Sequence, residues 1–475
     1  MAAKTLAVLG TMSSVGKSLL TALVSYHFSQ KGLKVFPFKA QNMSLNAFAT
    51  DEGELAHAQV FQAWAAGRSP SVSMNPLLLK PLGNMKSEII FLGKSQGILP
   101  SGDFRKFKAA YKEKIWHIFE EILLENDLIV LEGAGGLAEL NLLENDFVNY
   151  EIIKRYQIPF LLVGDIDRGG IFAQIWGTYE LVPELKQFSL GFVINKFRGE
   201  ESLFKEGIAI LEEKTGLPCL GLLPYLPESL FEEDSASLGL PRGRFVTDGL
   251  RIAVVYYPHI SNYLDFDPFR AEKDVEVLLI EDPRELEKAH AIILPGSKNT
   301  LASLAYLEKK GLAGALKDLA EEKIIVGLCG GFQLLGTRIE DHGIESEGSK
   351  NALGLLPHVT LFKAEKIARA SKAFFELPFF RGEIAGFEIR YGRSFLNGQE
   401  VIVGAHENVF GTYLHGVFYN DDFRFAFLNF LRKKFKLPLL EKTSFVSFFQ
   451  EKLANICAKK PFANFLKNLE KSLYP

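Results

Sequence analysis

The chain is poor in cysteine: three residues among 475, at Cys219, Cys329 and Cys457. They stand too far apart for a disulfide framework or for the ligand spacing of a zinc or iron–sulfur site. One useful thiol in a reducing compartment remains open. Long apolar runs are also missing; none approaches the 18 residues of a membrane span, so no membrane association is expected. Residues 1–9 lack a secretory pattern and run straight into a glycine turn, so a cytoplasmic protein is expected. Charge of one sign is missing as well. The chain carries 54 Lys and Arg against 57 Asp and Glu, net −3, so no global basic field points to nucleic acid. Methionine (5) and tryptophan (3) are scarce, whereas phenylalanine reaches 40. That excess reads as core filling or as an apolar face for a bulky ligand, and composition does not choose between them. What is present, 47% hydrophobic and 23% charged residues, is the balance of a globular chain. Its length predicts roughly two to three domains.

Short apolar runs alternate with helix-length segments. They fall at Leu6–Leu9, Val35–Phe38, Leu128–Leu131, Phe160–Val163, Gly191–Ile194 and Leu220–Leu223. This pattern predicts an α/β fold, a doubly wound and mostly parallel sheet with helices on both faces. The stretch from Pro224 to Leu250, with Pro227, Pro241 and the acidic Glu232-Glu233-Asp234, breaks the pattern and reads as a linker. A second α/β series follows at Ile252–Tyr256, Val277–Ile280, Ala291–Leu294 and Ile324–Leu328. Past Gly354 the runs shorten and become more β-like, and the last 35 or so residues look helical. The expected division is residues 1–228, a linker 229–250, residues 251–440, and a helical segment 441–475.

Between the first run and the first helix lies Gly10-Thr-Met-Ser-Ser-Val-Gly16-Lys17-Ser18. Backbone N–H groups from Thr11 to Gly16 and the helix N-terminus can cradle a phosphate there. Lys17 supplies a point charge, and the Ser18 hydroxyl can face Mg²⁺. The spacing departs from the standard loop, with five residues between the glycines. Glu132, ending an apolar run before a glycine turn, is a candidate second metal ligand, and Glu54 is another. Asp165-Ile-Asp167-Arg168 also ends a strand and offers two acids and a cation for a phosphate or carboxylate.

Gly327-Leu-Cys329-Gly330-Gly331 joins a predicted strand to a predicted helix, the form of a nucleophile elbow with Cys in place of Ser. The helix N-terminus favours a thiolate. The Gly330 N–H can stabilise an oxyanion, Gly296 can supply a second N–H, and Gln333 reaches the same pocket from the first helical turn. His415, in Gly411-Thr-Tyr-Leu-His415-Gly416, is the candidate base, with His406 a weaker competitor.

These motifs together resemble the cobyric acid synthase (CobQ) family. The first half is similar to the dethiobiotin synthetase-like P-loop fold. The second is similar to a class I, triad-type glutamine amidotransferase domain, a flavodoxin-like α/β fold. Gln41-Asn42-Met-Ser-Leu-Asn46, Asn75-Pro-Leu-Leu-Leu-Lys80-Pro81, Asp165-Ile-Asp-Arg-Gly-Gly170, Gly191–Gly199 and Pro295–Thr300 carry the resemblance, which runs from about residue 5 to residue 435. It implies a ligase that uses ATP, Mg²⁺ and glutamine to amidate four carboxylates of a corrinoid polycarboxylate, adenosylcobyrinic acid a,c-diamide. Lys17 and Ser18 would hold ATP, with Asn42, Asp165, Asp167 and Arg168 at the substrate and phosphate site. Cys329 and His415 would release ammonia. A sister amidoligase such as the a,c-diamide synthase, or a non-catalytic ATP-binding regulator, is the alternative. The segments near residues 41–46 and 75–81 argue against the sister enzymes, and retention of Lys17, Cys329 and His415 argues against the regulator.

Three departures stand out. Triad amidotransferases carry Glu two residues after the His, where this chain has Val417. His57 replaces a family Arg, and Arg390 stands where His is expected. Arg390 is assigned no catalysis.

Overall fold

Parallel strands covered on both faces must be apolar throughout, and the sequence supplies such runs. The computed structural model describes residues 3–83, 86–100, 104–143, 146–226, 240–272 and 274–474. Part of the expected linker at 229–250, through residue 239, lies outside the described residues, and so does Glu232-Glu233-Asp234. Two units emerge. One comprises Met1–Ser44, Glu54–Ser235 and Phe449–Pro475; the other comprises Leu45–Gly53 and Ala236–Phe448.

The first unit is built on six strands: β1 (Lys4–Gly10), β2 (Val35–Phe38), β3 (Leu128–Glu132), β4 (Phe160–Asp165), β5 (Ser189–Phe197) and β6 (Cys219–Pro224). Their order is β6-β5-β4-β1-β3-β2, and every pairing is parallel. Helix α1 (Lys17–Ser29) follows β1 and buries Leu20, Leu23, Val24 and Phe28. Helix α2 (His57–Ala65) packs against it. A four-stranded sheet from Gln41–Met43, Leu77–Gly83, Lys86–Phe91 and Lys94–Pro100 is an insertion that the apolar pattern does not predict. At the C-terminus, the helix Lys460–Leu473 lies on β6. A Cβ at Gly221 would sit 2.9 Å from Phe465, and Asn468 donates to the Leu220 carbonyl.

The second unit repeats the logic with β7 (Leu250–Val255), β8 (Val275–Ile280), β9 (Ala291–Leu294), β10 (Ile324–Leu328), β11 (Val403–His406) and β12 (Val409–Thr412). The order is β8-β7-β9-β10-β12-β11, parallel except for the antiparallel edge strand β11. The β-like region past Gly354 is a long antiparallel hairpin, Val359–Leu377 with Phe380–Leu396. Much of the phenylalanine excess is core: Phe266, Phe269, Phe332, Phe375, Phe418, Phe423 and Phe427 are fully buried in this unit's single cluster. Among the described residues, no helix is long and apolar enough to cross a membrane.

Candidate functional site

In open parallel sheets the ligand crevice lies beyond the carboxyl ends of the strands. In the second unit, three adjacent strands end in the three expected parts. Cys329 follows β10 and takes φ 50°, ψ −104°, a strained conformation for a side-chain-bearing residue. Its N–H bonds the Thr412 carbonyl at the end of neighbouring β12, so His415, three residues on, is delivered beside it. On the other flank, Gly296 follows β9. A Cβ on Gly330 would lie 2.5 Å from the Ser297 nitrogen, and one on Gly331 would lie 2.0 Å from the Leu294 carbonyl oxygen. Glycine at 330 and 331 is therefore what lets the elbow close on the β9 loop. Gly296 itself would place a Cβ 3.2 Å from the His415 ring. Gln333 is buried, its amide oxygen accepting from the Thr300 hydroxyl at 2.7 Å, and its amide nitrogen packs on Gly392. The structure thus brings Cys329, His415, Gly296, Gly330 and Gln333 together.

His415 is fully buried and faces two groups. Its Nδ1 lies 2.6 Å from Asp265 Oδ2, and its side chain also interacts with Cys329. Phe387 stacks on the ring at 5.3 Å, and the two residues exchange backbone hydrogen bonds. Burial by itself would lower the His415 pKa. The Asp265 carboxylate, then Cys329, outweigh it and raise the value to about 10. No local motif singles out Asp265 in the sequence. Its one signal was position: it lies in the loop after β7, on the crevice side of the sheet. His406 sits on the edge strand with its side chain exposed, away from this group. Arg390 is buried in the hairpin, where it pairs with Glu388 and Glu400, donates to the Gly392 carbonyl and stacks over Tyr413 at 4.1 Å. It thereby fixes the strand whose Ile389 carbonyl lies 3.6 Å from the Cys329 sulfur. Away from this site, burial pushes both Cys219 and Cys457 up to about 12.

In the first unit, β1 and β3 are neighbours, which sets the phosphate loop beside Glu132. Gly16 takes φ 102°, and a Cβ there would strike the Asn195 amide, which itself donates to the Val15 carbonyl. Asn195, at the end of β5, so latches the loop. Thr11 bonds Gln174, and Lys17 donates to the Met12 carbonyl at 3.1 Å. The Ser18 hydroxyl donates to Glu132 at 2.7 Å, Lys39 pairs with the same oxygen at 2.6 Å, and Gln59 and Gln62 donate to the other. Asn42 joins through Gln59 at 2.9 Å. A cavity of about 330 Å³ opens here, lined by Ser13, Lys17, Lys39, Asn42, Gly135 and Asn149 among others.

The remaining expected residues lie off that lining. Asp165 pairs with Lys196, which also donates to the Ser14 carbonyl, and with Arg168 at 3.5 Å. Asp167 pairs with Arg198 at a half-exposed edge, and this guanidinium holds the Asp167 carboxyl below its ordinary range. Glu54 is buried in an ion pair with Lys80. His57 is buried with its ring 4.9 Å from Phe61. Lys39, Gln59 and Gln62, which converge on Glu132, are not marked by any motif in the sequence.

The hard-oxygen donors Ser18 and Glu132 fit a magnesium ion in chemistry: a hydroxyl and a carboxylate, adjacent and beside a phosphate loop. Among the described residues, no cluster of three or more His, Cys, Asp or Glu forms a closed metal cage.

Residues 6–236 match the family described as the CobQ/CobB/MinD/ParA nucleotide binding domain. Residues 251–423 match the CobB/CobQ-like glutamine amidotransferase domain. The chain is similar to a protein of Nostoc sp. named cobyric acid synthase, with 43% identity over 457 residues, 91% of this chain and 92% of that relative. It is equally similar to the cobyric acid synthase of Carboxydothermus hydrogenoformans, 43% identical over 91% of each chain. The relative of the same name from Trichodesmium erythraeum is 40% identical over 91% of this chain and 92% of its own length.

Proposed function

The chain belongs to the cobyric acid synthase family, and from that premise we propose how its two sites divide one reaction: ATP- and glutamine-dependent amidation of corrinoid side-chain carboxylates. The observation that carries the proposal is the pairing, in one chain, of a thiol elbow matched to an imidazole with a phosphate loop matched to a buried carboxylate.

At the phosphate loop, Lys17, Ser18 and backbone N–H groups hold ATP. Ser18 and Glu132 would hold Mg²⁺, which would supply charge neutralisation at the phosphates. A substrate carboxylate oxygen attacks the γ-phosphorus, the bond to the ADP oxygen breaks, and an acyl phosphate forms. Positioning and charge neutralisation carry this step, and Lys17 and Lys39 supply the cations that line the cavity. Asn42, which lines the cavity, serves the carboxylate side, and Asp165 acts on the loop through Lys196, which donates to the Ser14 carbonyl.

At the elbow, the Cys329 sulfur attacks the glutamine carboxamide carbon while its proton rests on His415. Gly330 and Gly296 N–H groups receive the developing oxyanion. The C–N bond breaks, His415 returns the proton to the leaving nitrogen, and ammonia departs. Water then cleaves the thioester to glutamate. Ammonia displaces phosphate from the acyl phosphate and yields the amide.

The test mixes the protein with ATP, Mg²⁺, glutamine and cobyrinic acid a,c-diamide, and counts amide increments by mass spectrometry. Four increments are expected. No mass change on the corrinoid would overturn the substrate assignment.

A further inference from the structure

We propose that Asp265 is the positioning residue for His415, supplying from the loop after β7 the carboxylate that other triad amidotransferases carry two residues beyond the histidine. The proposal rests on the amidotransferase reading of Cys329 and His415 given above.

The usual position cannot serve, because Val417 is apolar and fully buried. Asp265 occupies the need with both oxygens. Oδ2 lies 2.6 Å from His415 Nδ1, and Oδ1 accepts the Gly416 N–H at 2.7 Å. One carboxylate thus fixes the ring and the backbone that carries it. Asp265 is itself 4% exposed, so the ion pair is poorly screened by solvent. It sits in the 3₁₀ helix Tyr263–Ala271, entered through Asn262 at φ 52°, whose side-chain oxygen accepts the Ala47 N–H. Neighbouring Asp267 is not an equivalent candidate, since Arg270 pairs with it at 3.3 Å. Other ionisable groups around this cluster include Tyr419, which senses both aspartates and Arg270, and Cys329, which Tyr257 and Tyr413 also sense.

With Nδ1–H held by Asp265, only Nε2 is left to exchange a proton with sulfur and then with the departing nitrogen. The carboxylate fixes the ring and stabilises the imidazolium that carries the thiol proton.

Asp265→Asn in the full chain tests this. The amide is nearly isosteric, and its oxygen can still accept from Gly416. Its NH₂, turned toward Nδ1, demands an unprotonated nitrogen and so forces the proton onto Nε2, where it blocks the base. The expected result is a fall of roughly 10²- to 10⁴-fold in glutaminase kcat, with little change in the KM for glutamine. The ratio of glutamine-driven to ammonium-driven amidation falls by the same factor. The double variant Asp265→Asn/His415→Ala should be no slower than His415→Ala, because a residue acting through the histidine adds nothing once the imidazole is gone. Additive losses, or an Asn variant that keeps half or more of the glutaminase rate, would overturn the proposal. Should Asp265→Asn fail to melt cooperatively, Asp265→Ser repeats the cycle with an oxygen retained for Gly416 and the charge removed. A wild-type protein that shows Asp265-dependent glutaminase but no amidation with ammonium would sink the ligase reading and leave this one standing.

Discussion

The two sites solve the problem of buried charge in different ways. At the elbow the partners are matched one to one: Cys329 to His415, and His415 to Asp265. At the phosphate loop a single carboxylate, Glu132, collects four donors from Ser18, Lys39, Gln59 and Gln62. A buried charge left unpaired costs several kcal/mol, so each site must balance its own ions. The elbow receives a neutral carboxamide, and a fixed ion pair needs no rearrangement to meet it. The phosphate loop must receive a polyanion. Its cations are therefore parked on a carboxylate and on a carbonyl, from which phosphate oxygens can draw them. The contrast is between a site built around its proton relay and a site built to exchange partners.

The sharpest way to break that contrast is to remove the elbow's nucleophile. Cys329→Ala should lower glutamine-driven amidation by at least about 10⁴-fold. Amidation with added ammonium, measured on the same corrinoid by mass, should persist. A variant that still uses glutamine normally would show that the thiol assignment is wrong. Next in size, Lys17→Ala should slow amidation from either nitrogen source by about 10²- to 10³-fold, since it removes the charge aimed at the phosphates. Glutamate release from glutamine should survive in this variant. Equal loss of both activities would mean that the two sites are not chemically separate.

Much of this is legible in the sequence, and the reason is local. Strands buried on both faces must be apolar, so β1 to β10 stand out as runs, and glycines needed for close approach stand out beside them. The Gly16-Lys17-Ser18 and Cys329-Gly330-Gly331 turns carry their geometry in neighbouring residues. What stayed hidden depends on partners far along the chain. Asp265 and His415 are 150 positions apart, and no local motif ties one to the other. Lys39, Gln59 and Gln62 converge on Glu132 from 93, 73 and 70 positions away. The hairpin Val359–Leu377 with Phe380–Leu396 was seen only in fragments. Much of it is solvated, and its alternation is too irregular to announce a strand of that length.

A smaller effect sharpens the exchange side of the comparison. Glu132→Gln keeps an acceptor for Ser18 and removes the charge. Amidation should fall about 10- to 100-fold, and a Mg²⁺ titration of ATP-dependent activity should need more metal to reach half its maximum. An unchanged metal requirement would move the magnesium away from Glu132. Glutaminase should not respond, because the elbow's ion pair contains no part of this network.

The smallest effect concerns stability, and it belongs to the elbow's unit alone. Among the buried imidazoles there, His358 and His415 are shifted in opposite directions, and His290 is lowered like His358. Burial lowers His358 from 6.5 to about 4, against a smaller opposing contribution from its bond to the Phe332 carbonyl. Its folded form refuses a proton that the unfolded form accepts. Its contribution to stability is therefore present above pH 6.5 and is lost as the pH falls from 6.5 toward 4. His415 runs the other way. Its raised value means that the folded state holds the proton more tightly, so its contribution is present below pH 6.5 and is lost as the pH climbs through about 10. His358→Gln isolates the first case, since a glutamine amide can still donate to Phe332 and does not titrate. Urea unfolding between pH 6.5 and 4, followed by peptide-resolved hydrogen exchange over residues 324–335, should show a slope steeper in wild type than in the variant. The difference should be on the order of 1 kcal/mol per pH unit. The tryptophans Trp64, Trp116 and Trp176 all lie in the nucleotide unit, so their fluorescence in the same samples reports that unit separately. If His358→Gln alters the fluorescence transition as much as the exchange, the titration is not confined to the elbow's unit, and the division of pH response between the two regions fails.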